Sequence, residues 1–231
     1  MPNLTIDPTP EFNFMSGVYE ASDRMFSHTD NGLNYSLRDS DGFQWVNQAG
    51  WTPEFAKTTG KDGATRGLKG NYYVGGYWSD WHYTEFGKTT RIDNSYGLYA
   101  LASQEVYQAE EGTDKGLSLF GTVTYAPQRN IAIVPFQLNG GAIYKGLIPG
   151  RDEDRTIFGV IYGEFSPNYA NTLAASGRGY AHSETVFESG YRIQLVKWAY
   201  LQPDLQYIKS PGGTGRIPDA VVVGTQFGVT F

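Results

Sequence analysis

Hydrophobic and polar positions alternate along most of this chain, most clearly at its end. Between Asp219 and Phe231, the residues Val221, Val223, Thr225, Phe227, Val229 and Phe231 share one face. Ala220, Val222, Gly224, Gln226, Gly228 and Thr230 share the other. A period of two marks a strand, because successive side chains leave the pleat on opposite sides. One face is apolar and aromatic, the other small or polar, which suits a wall between lipid and water. This strand is therefore expected to be the closing stave of a barrel.

The pattern recurs in about ten segments, near 11–21, 43–52, 70–81, 96–108, 116–126, 134–147, 155–166, 184–197, 199–209 and 219–231. Their lengths fit tilted membrane strands, which need ~9–11 residues to cross. Period two wins in almost every window, so no helix of any length is expected. The connections alternate as well. Lys197-Trp198-Ala199 is a very short link, and Glu110 to Lys115 and Ile148 to Asp154 are compact charged turns. Residues 23–42, 82–95 and 166–183 are long by comparison. Short turns on one side and long loops on the other is the asymmetry of outer-membrane barrels, with the turns in the periplasm. The stretch 53–69 breaks this rule, being long where a short turn is predicted. No linker or low-complexity run divides the chain, so residues 1–231 are read as a single barrel domain.

The pleat also assigns a wet face. In Leu201-Gln202-Pro203-Asp204-Leu205-Gln206-Tyr207 the polar residues are all even-numbered, and an Asp facing lipid would be costly. Gln202, Asp204 and Gln206 should therefore line water. One strand earlier, Glu188, Gly190, Arg192 and Gln194 oppose Phe187, Tyr191, Ile193 and Leu195. Gln137, Asn139, Gly141 and Lys145 oppose Phe136, Leu138, Ala142 and Tyr144. Gln44 and Gln48 oppose Trp45 and Trp51, and Asn71 and Tyr73 oppose Tyr72 and Val74. In 96–108 the pattern does not decide between Gln104 and Glu105. The candidate lining thus holds amides, a few carboxylates, Arg192 and Lys145. Groups of this kind can exchange bonds with water for bonds with a solute's hydroxyls. The plainer reading of each residue is that it hydrates the interior or pairs across strands.

Composition narrows the classes. Aromatic residues make up 15%, 17 of them tyrosine, and there are 29 glycines against 18% charged residues. Tyrosine suits a membrane–water boundary. No run approaches the ~18 apolar residues of a spanning helix. A net charge of −6 without a basic run argues against a nucleic-acid partner. Cysteine is absent, which removes disulfides and thiol nucleophiles. Met1 to Pro8 shows neither a basic nor an apolar signal region, although an exported barrel needs one. The expectation is a C-terminal portion whose signal and first strands are missing.

Several motifs carry a resemblance. Gly146-Leu147-Ile148-Pro149-Gly150-Arg151-Asp152 resembles the carbohydrate-selective porins of Gram-negative outer membranes, the OprB type. So does Leu201 to Tyr207 with Pro211-Gly212-Gly213, the most specific block. Leu119-Phe120-Gly121 followed by Tyr125-Ala126-Pro127, Gly70-Asn71-Tyr72 and the terminal Gly228-Val229-Thr230-Phe231 match too. The resemblance implies a sixteen-stranded antiparallel transmembrane β-barrel that admits mono- and oligosaccharides by diffusion through a constricted pore. About ten of its strands would be present here. The family often places an arginine near the position of Thr122, so this chain departs from it there.

Catalysis is not expected. His28, His82 and His182 all fall in predicted loops, and His182 and Ser183 diverge in an extended chain. Asp152, Glu153 and Asp154 read as a solvated turn flanked by Arg151 and Arg155 rather than a calcium site. Asp23, Asp30, Asp39 and Asp41 read as a hydrated loop rather than a divalent-ion site. No cofactor is implied. The function expected is passive, sugar-selective diffusion in the bacterial outer membrane, with lipid and lipopolysaccharide around the barrel and a homo-oligomer as one option. Its rivals are a non-conducting structural or surface-binding barrel and a soluble β-sandwich lectin.

Overall fold

The computed structural model describes residues 3–22, 38, 41–60, 63 and 65–230. Its strands are β1 (Asn3–Thr9), β2 (Phe12–Ala21), β3 (Gly42–Trp51), β4 (Glu54–Thr59), β5 (Thr65–Ser79), β6 (Tyr83–Thr84) and β7 (Arg91–Ile92). They continue as β8 (Ser95–Gln108), β9 (Gly116–Tyr125), β10 (Phe136–Lys145), β11 (Arg155–Glu164), β12 (Ser183–Val196), β13 (Ala199–Lys209) and β14 (Ala220–Val229). One helix, α1 (Pro167–Ala175), lies between β11 and β12. Each of the ten segments read from alternation is a strand. Phe231 and His28 lie outside the described residues, as do Asp23, Asp30 and Asp39 of the first long loop.

The main sheet runs β1-β2-β3-β5-β8-β9-β10-β11-β12-β13-β14, with β4 paired to β5 and a separate β6–β7 pair. Every pairing is antiparallel. Among the described residues there is no two-layer sandwich core. Prolines aside, the buried apolar set among the described residues is only Ala21, Ala170, Leu173, Ala181 and Ala199. β1 and β14 end the path and do not pair with each other, so the sheet is open.

Three features correct the sequence reading. β1 was hidden because its alternation of Leu4 and Ile6 with Asn3, Thr5 and Asp7 is short and runs into Pro8; it pairs with β2 through Asn3–Gly17 and Thr5–Met15. The long stretch 53–69 is a hairpin: β4 folds back on an extended β5, with Glu54 opposite Lys69 and Phe55 opposite Leu68. That hairpin lies beyond the last β3–β5 pair, Trp51 with Tyr72. The expectation of no helix fails at α1. Ser166 accepts from the Asn168 and Tyr169 amides and a proline follows at N1, an ordinary helix start. Gly177, with φ +76°, follows its end.

The connections segregate by length. The β1–β2, β8–β9, β10–β11 and β12–β13 turns lie at one end, here the turn end, with the β4 hairpin. Residues 80–94, 126–135, 165–182 and 210–219 lie at the other, the loop end. There they interlock. The His182 amide donates to Gly213 O at 2.9 Å, the Ser166 amide to Ile133 O at 2.9 Å, and the Phe86 amide to Asn130 O at 2.9 Å. Phe86 packs on Tyr169 at 5.3 Å, and Ala170, Leu173 and Ala181 make the one small buried core cluster of the described residues.

Candidate functional site: the polar face of the sheet

Strand register alone divides the sheet. Gln48, Gly75, Tyr99, Thr124, Gln137, Gly163 and Glu184 are successive partners across seven strands. Asn71, Ser103, Phe120, Gly141, Gly159, Glu188 and Gln206 form a second row on the same face. Followed in this way, all thirteen residues singled out by alternation fall on one face: Gln44, Gln48, Asn71, Tyr73, Gln137, Asn139, Lys145, Glu188, Arg192, Gln194, Gln202, Asp204 and Gln206. The opposite face carries Trp45, Trp78, Leu98, Phe158, Phe187, Leu205, Val223 and Phe227, each exposed.

The polar face is cross-linked rather than merely wet. Gln206 Nε2 donates to Glu188 Oε2 at 3.0 Å, and Arg192 Nε donates to Gln202 Oε1 at 2.8 Å. The Arg192 guanidinium also lies 4.1 Å from the centre of the Tyr200 ring. Asn71 Nδ2 donates to Ser103 Oγ at 3.2 Å. Gln194 is bound by its backbone N–H to Asp154 Oδ1 at 2.8 Å and by its amide to Val196 O at 2.7 Å. Asp204 has no hydrogen bond or ion pair among the described residues, and its register partners Gly190 and Gly224 offer no side chain. Asn139 Oδ1 is buried without a protein donor.

Five aromatic rings on this face lie over a glycine directly opposite. Tyr73 covers Gly50, Tyr99 covers Gly75, Tyr77 covers Gly97, Phe120 covers Gly141 and Tyr200 covers Gly228. In each case a Cβ on the glycine would collide with the ring. The missing side chain lets the ring lie against the backbone. Tyr99 thereby reaches across β5 to donate to Gln48 Oε1 at 3.0 Å.

The thirteen residues are not one cluster. Gln44 lies near the loop end, where it lines a cavity of about 320 Å³ with Tyr77, Tyr83, Ser95 and Gln128. Glu188, Arg192, Gln202, Asp204 and Gln206 sit together on β12 and β13. Lys145 is at the turn end, bound to Asp114 at 2.7 Å and Glu153 at 2.8 Å. Burial alone would raise the Asp114 carboxyl, but the Lys145 ammonium overcomes this and holds it below the usual range. A larger cavity of about 560 Å³, lined by Ala49, Trp51, Val74, Ala100, Gly121 and Leu138 among others, lies on the apolar side of the sheet, away from these groups.

Alternation missed some participants. Glu105 is on the polar face, opposite Ser118, and binds Arg66 at 2.7 Å. Gln104 is on the other, accepting from Tyr72 Oη at 2.6 Å. A bulge at Val106 explains the ambiguity: Tyr107 pairs with Leu117, so parity changes within the strand. Arg66 was lost in the unexplained hairpin. In the turn, Asp154 is buried, not solvated. It accepts from Arg151 Nε at 2.7 Å, Tyr191 Oη at 2.7 Å and the Gln194 amide. Arg151 pairs with it, whereas Arg155, next to it in sequence, forms no ion pair with it.

A family model described as carbohydrate-selective porin, OprB family, matches residues 2–231. The chain belongs to that family. Two curated relatives are similar: the putative porin QuiX of Acinetobacter baylyi is 24% identical over 250 residues, 99% of this chain and 54% of that protein. Porin B of Pseudomonas aeruginosa is 23% identical over 251 residues, 96% of this chain and 52% of that protein. The high-pH structure of Pseudomonas putida OprB superimposes with a TM-score of 0.87 at 24% identity, covering 99% of this chain and 58% of that one. The low-pH structure gives 0.63 at 22% identity. The chain therefore spans about half the length of the curated relatives it matches. Membership places this OprB-family chain in the bacterial outer membrane.

Proposed function

We propose that this chain is part of the wall of an outer-membrane channel through which carbohydrates diffuse passively. Its polar face would turn to the pore and its apolar face to hydrocarbon. One observation carries the reading: large exposed hydrophobic side chains crowd one face of the sheet, and most of its amides and charges crowd the other. Val223 is 77% exposed, Leu98 62% and Phe227 61%. In water, burying such surface is worth about 25 cal/mol per Å², so a soluble protein would cover it. In a bilayer, acyl chains cover it instead.

Closure belongs to the same proposal. Unpaired strand edges are costly in lipid, so further strands would join β1 to β14 and complete sixteen in all. The turn end would face the periplasm and the loop end the outside, with lipid and lipopolysaccharide around the rim. Sugar hydroxyls would exchange water for Glu188, Arg192, Asp204, Gln206 and Asn139, weakly enough to leave. Transport of this kind needs neither a cofactor nor a covalent step.

The test is the full-length porin in planar bilayers, with glucose or maltose added to one side. Sugar is expected to block the current reversibly. The double variant Glu188→Gln with Arg192→Gln should change conductance or sugar affinity. No change in either would remove these residues from the pore wall, and no conductance from the unaltered protein would reject the channel itself.

A further inference from the structure

Charge pairing on the polar face does not close at the turn end. Lys145 is the register partner of Arg155, and Arg155 that of Arg192, so three cations stand side by side on β10, β11 and β12. Like charges directly opposite destabilise a sheet, so this row calls for counter-charge. Lys145 has it in Asp114 and Glu153. Nearby Arg66 has it in Glu105. Arg155 and Arg192 form no ion pair among the described residues.

Their environments differ usefully. Arg192 uses only Nε, on the neutral amide of Gln202, and rests on the Tyr200 ring, which fixes the guanidinium without neutralising it. Arg155 is exposed and lines a cavity of about 170 Å³ with Ser118, the Lys145–Asp114 pair and the Arg66–Glu105 pair, so Arg155 is the cation left over there. Two cations without an ion pair among the described residues thus stand on one wall of a chain whose net charge is −6.

We propose that Arg155 and Arg192 form an oxyanion site at the turn end of the polar face. It takes the carboxylate or phosphate of a passing solute, so that sugar acids or sugar phosphates are substrates beside neutral sugars. The proposal rests on the pore reading above. A guanidinium offers a planar fork of N–H donors that matches either group. The site is hydrated and open, so it raises the local concentration of anions without trapping them.

The experiment measures entry of labelled glucose, gluconate and glucose 6-phosphate into liposomes carrying the full-length porin. The unaltered protein, Arg155→Gln and Arg155→Lys are compared after heat-modifiable gel migration shows each to be folded. In Arg155→Gln the ratio of anion to glucose entry is expected to fall by up to about fivefold, the scale of one exposed charge interaction. Arg155→Lys should restore much of it, and high salt should erase the difference in the unaltered protein. Loss confined to gluconate assigns the site to carboxylates, and loss confined to glucose 6-phosphate assigns it to phosphates. An unchanged ratio in Arg155→Gln overturns the site while leaving the pore intact. Failure of the unaltered protein to admit glucose overturns the pore reading, and is seen before any variant is compared.

Discussion

The two ends of the sheet are held together by different physics. At the turn end, charge does the work: Lys115 binds Glu110 and Asp152, each at 3.1 Å, Lys145 binds Asp114 and Glu153, and buried Asp154 gathers Arg151, Tyr191 and the Gln194 amide. The loop end has ion pairs too, such as Arg129–Glu164 at 2.9 Å, but adds a small apolar cluster under α1 and backbone hydrogen bonds between loops distant in sequence. These charged contacts join each turn to its neighbour pair by pair, as Lys145 does with Asp114 and Lys115 with Asp152. The loop cap exists only because four connections arrive at the same place, so each depends on the others.

Asp154→Ala sets the strongest contrast. It removes a buried carboxylate and leaves Tyr191 Oη and the Gln194 N–H without an acceptor, at a cost of about 3 kcal/mol. Urea unfolding in detergent micelles should show this as a lower midpoint with unchanged slope. The effect has a pH signature. Burial would raise the Asp154 carboxyl, yet the bonds from Tyr191, Arg151 and Gln194 outweigh it and hold it below the usual range. A depressed carboxylate stabilises fully above its unfolded value of about 4 and loses that contribution as pH falls through the lower folded value. The gap between variant and unaltered protein should therefore be widest near neutrality and shrink in acid below about pH 4.

At the other end, Leu173→Ala empties the cap's core and should cost about 2 kcal/mol. Because the cap is a satellite of the sheet, the change should appear as faster amide exchange in residues 165–182 and leave strand protection alone. Equal loss of protection in β11 and β12 would show that the cap and sheet unfold as one unit. Ser166→Ala is the finest probe. It deletes the α1 cap and the hydroxyl's bond to Arg129 O, for about 1 kcal/mol. Exchange should then quicken first at the Asn168 and Tyr169 amides.

Much of the sheet was legible because the pleat repeats every two residues, and a lipid-facing wall demands that its two faces differ. Gln202, Asp204 and Gln206 could be assigned together for that reason, as could Glu188 with Arg192. The rule failed where the backbone departs from regular pairing. One extra residue at Val106 hid Glu105, and the folded-back β4 hid Arg66. α1 had its own local signals in Ser166, Pro167 and Gly177, but a nine-residue helix was outweighed by the alternation around it.

The amino-acid order by itself determined which side chains share a face, since parity is a local property of an extended chain. It also determined the family, through turn motifs whose glycines must take positive φ, such as Gly150 at +80° and Gly212 at +67°. Only the tertiary structure decided which residues meet across strands: the rings of Tyr99 and Tyr200 over Gly75 and Gly228, the burial of Asp154, and the row Lys145–Arg155–Arg192. Those relations depend on register between segments far apart in sequence, which pairing energies and bulges fix, and no single strand contains that information.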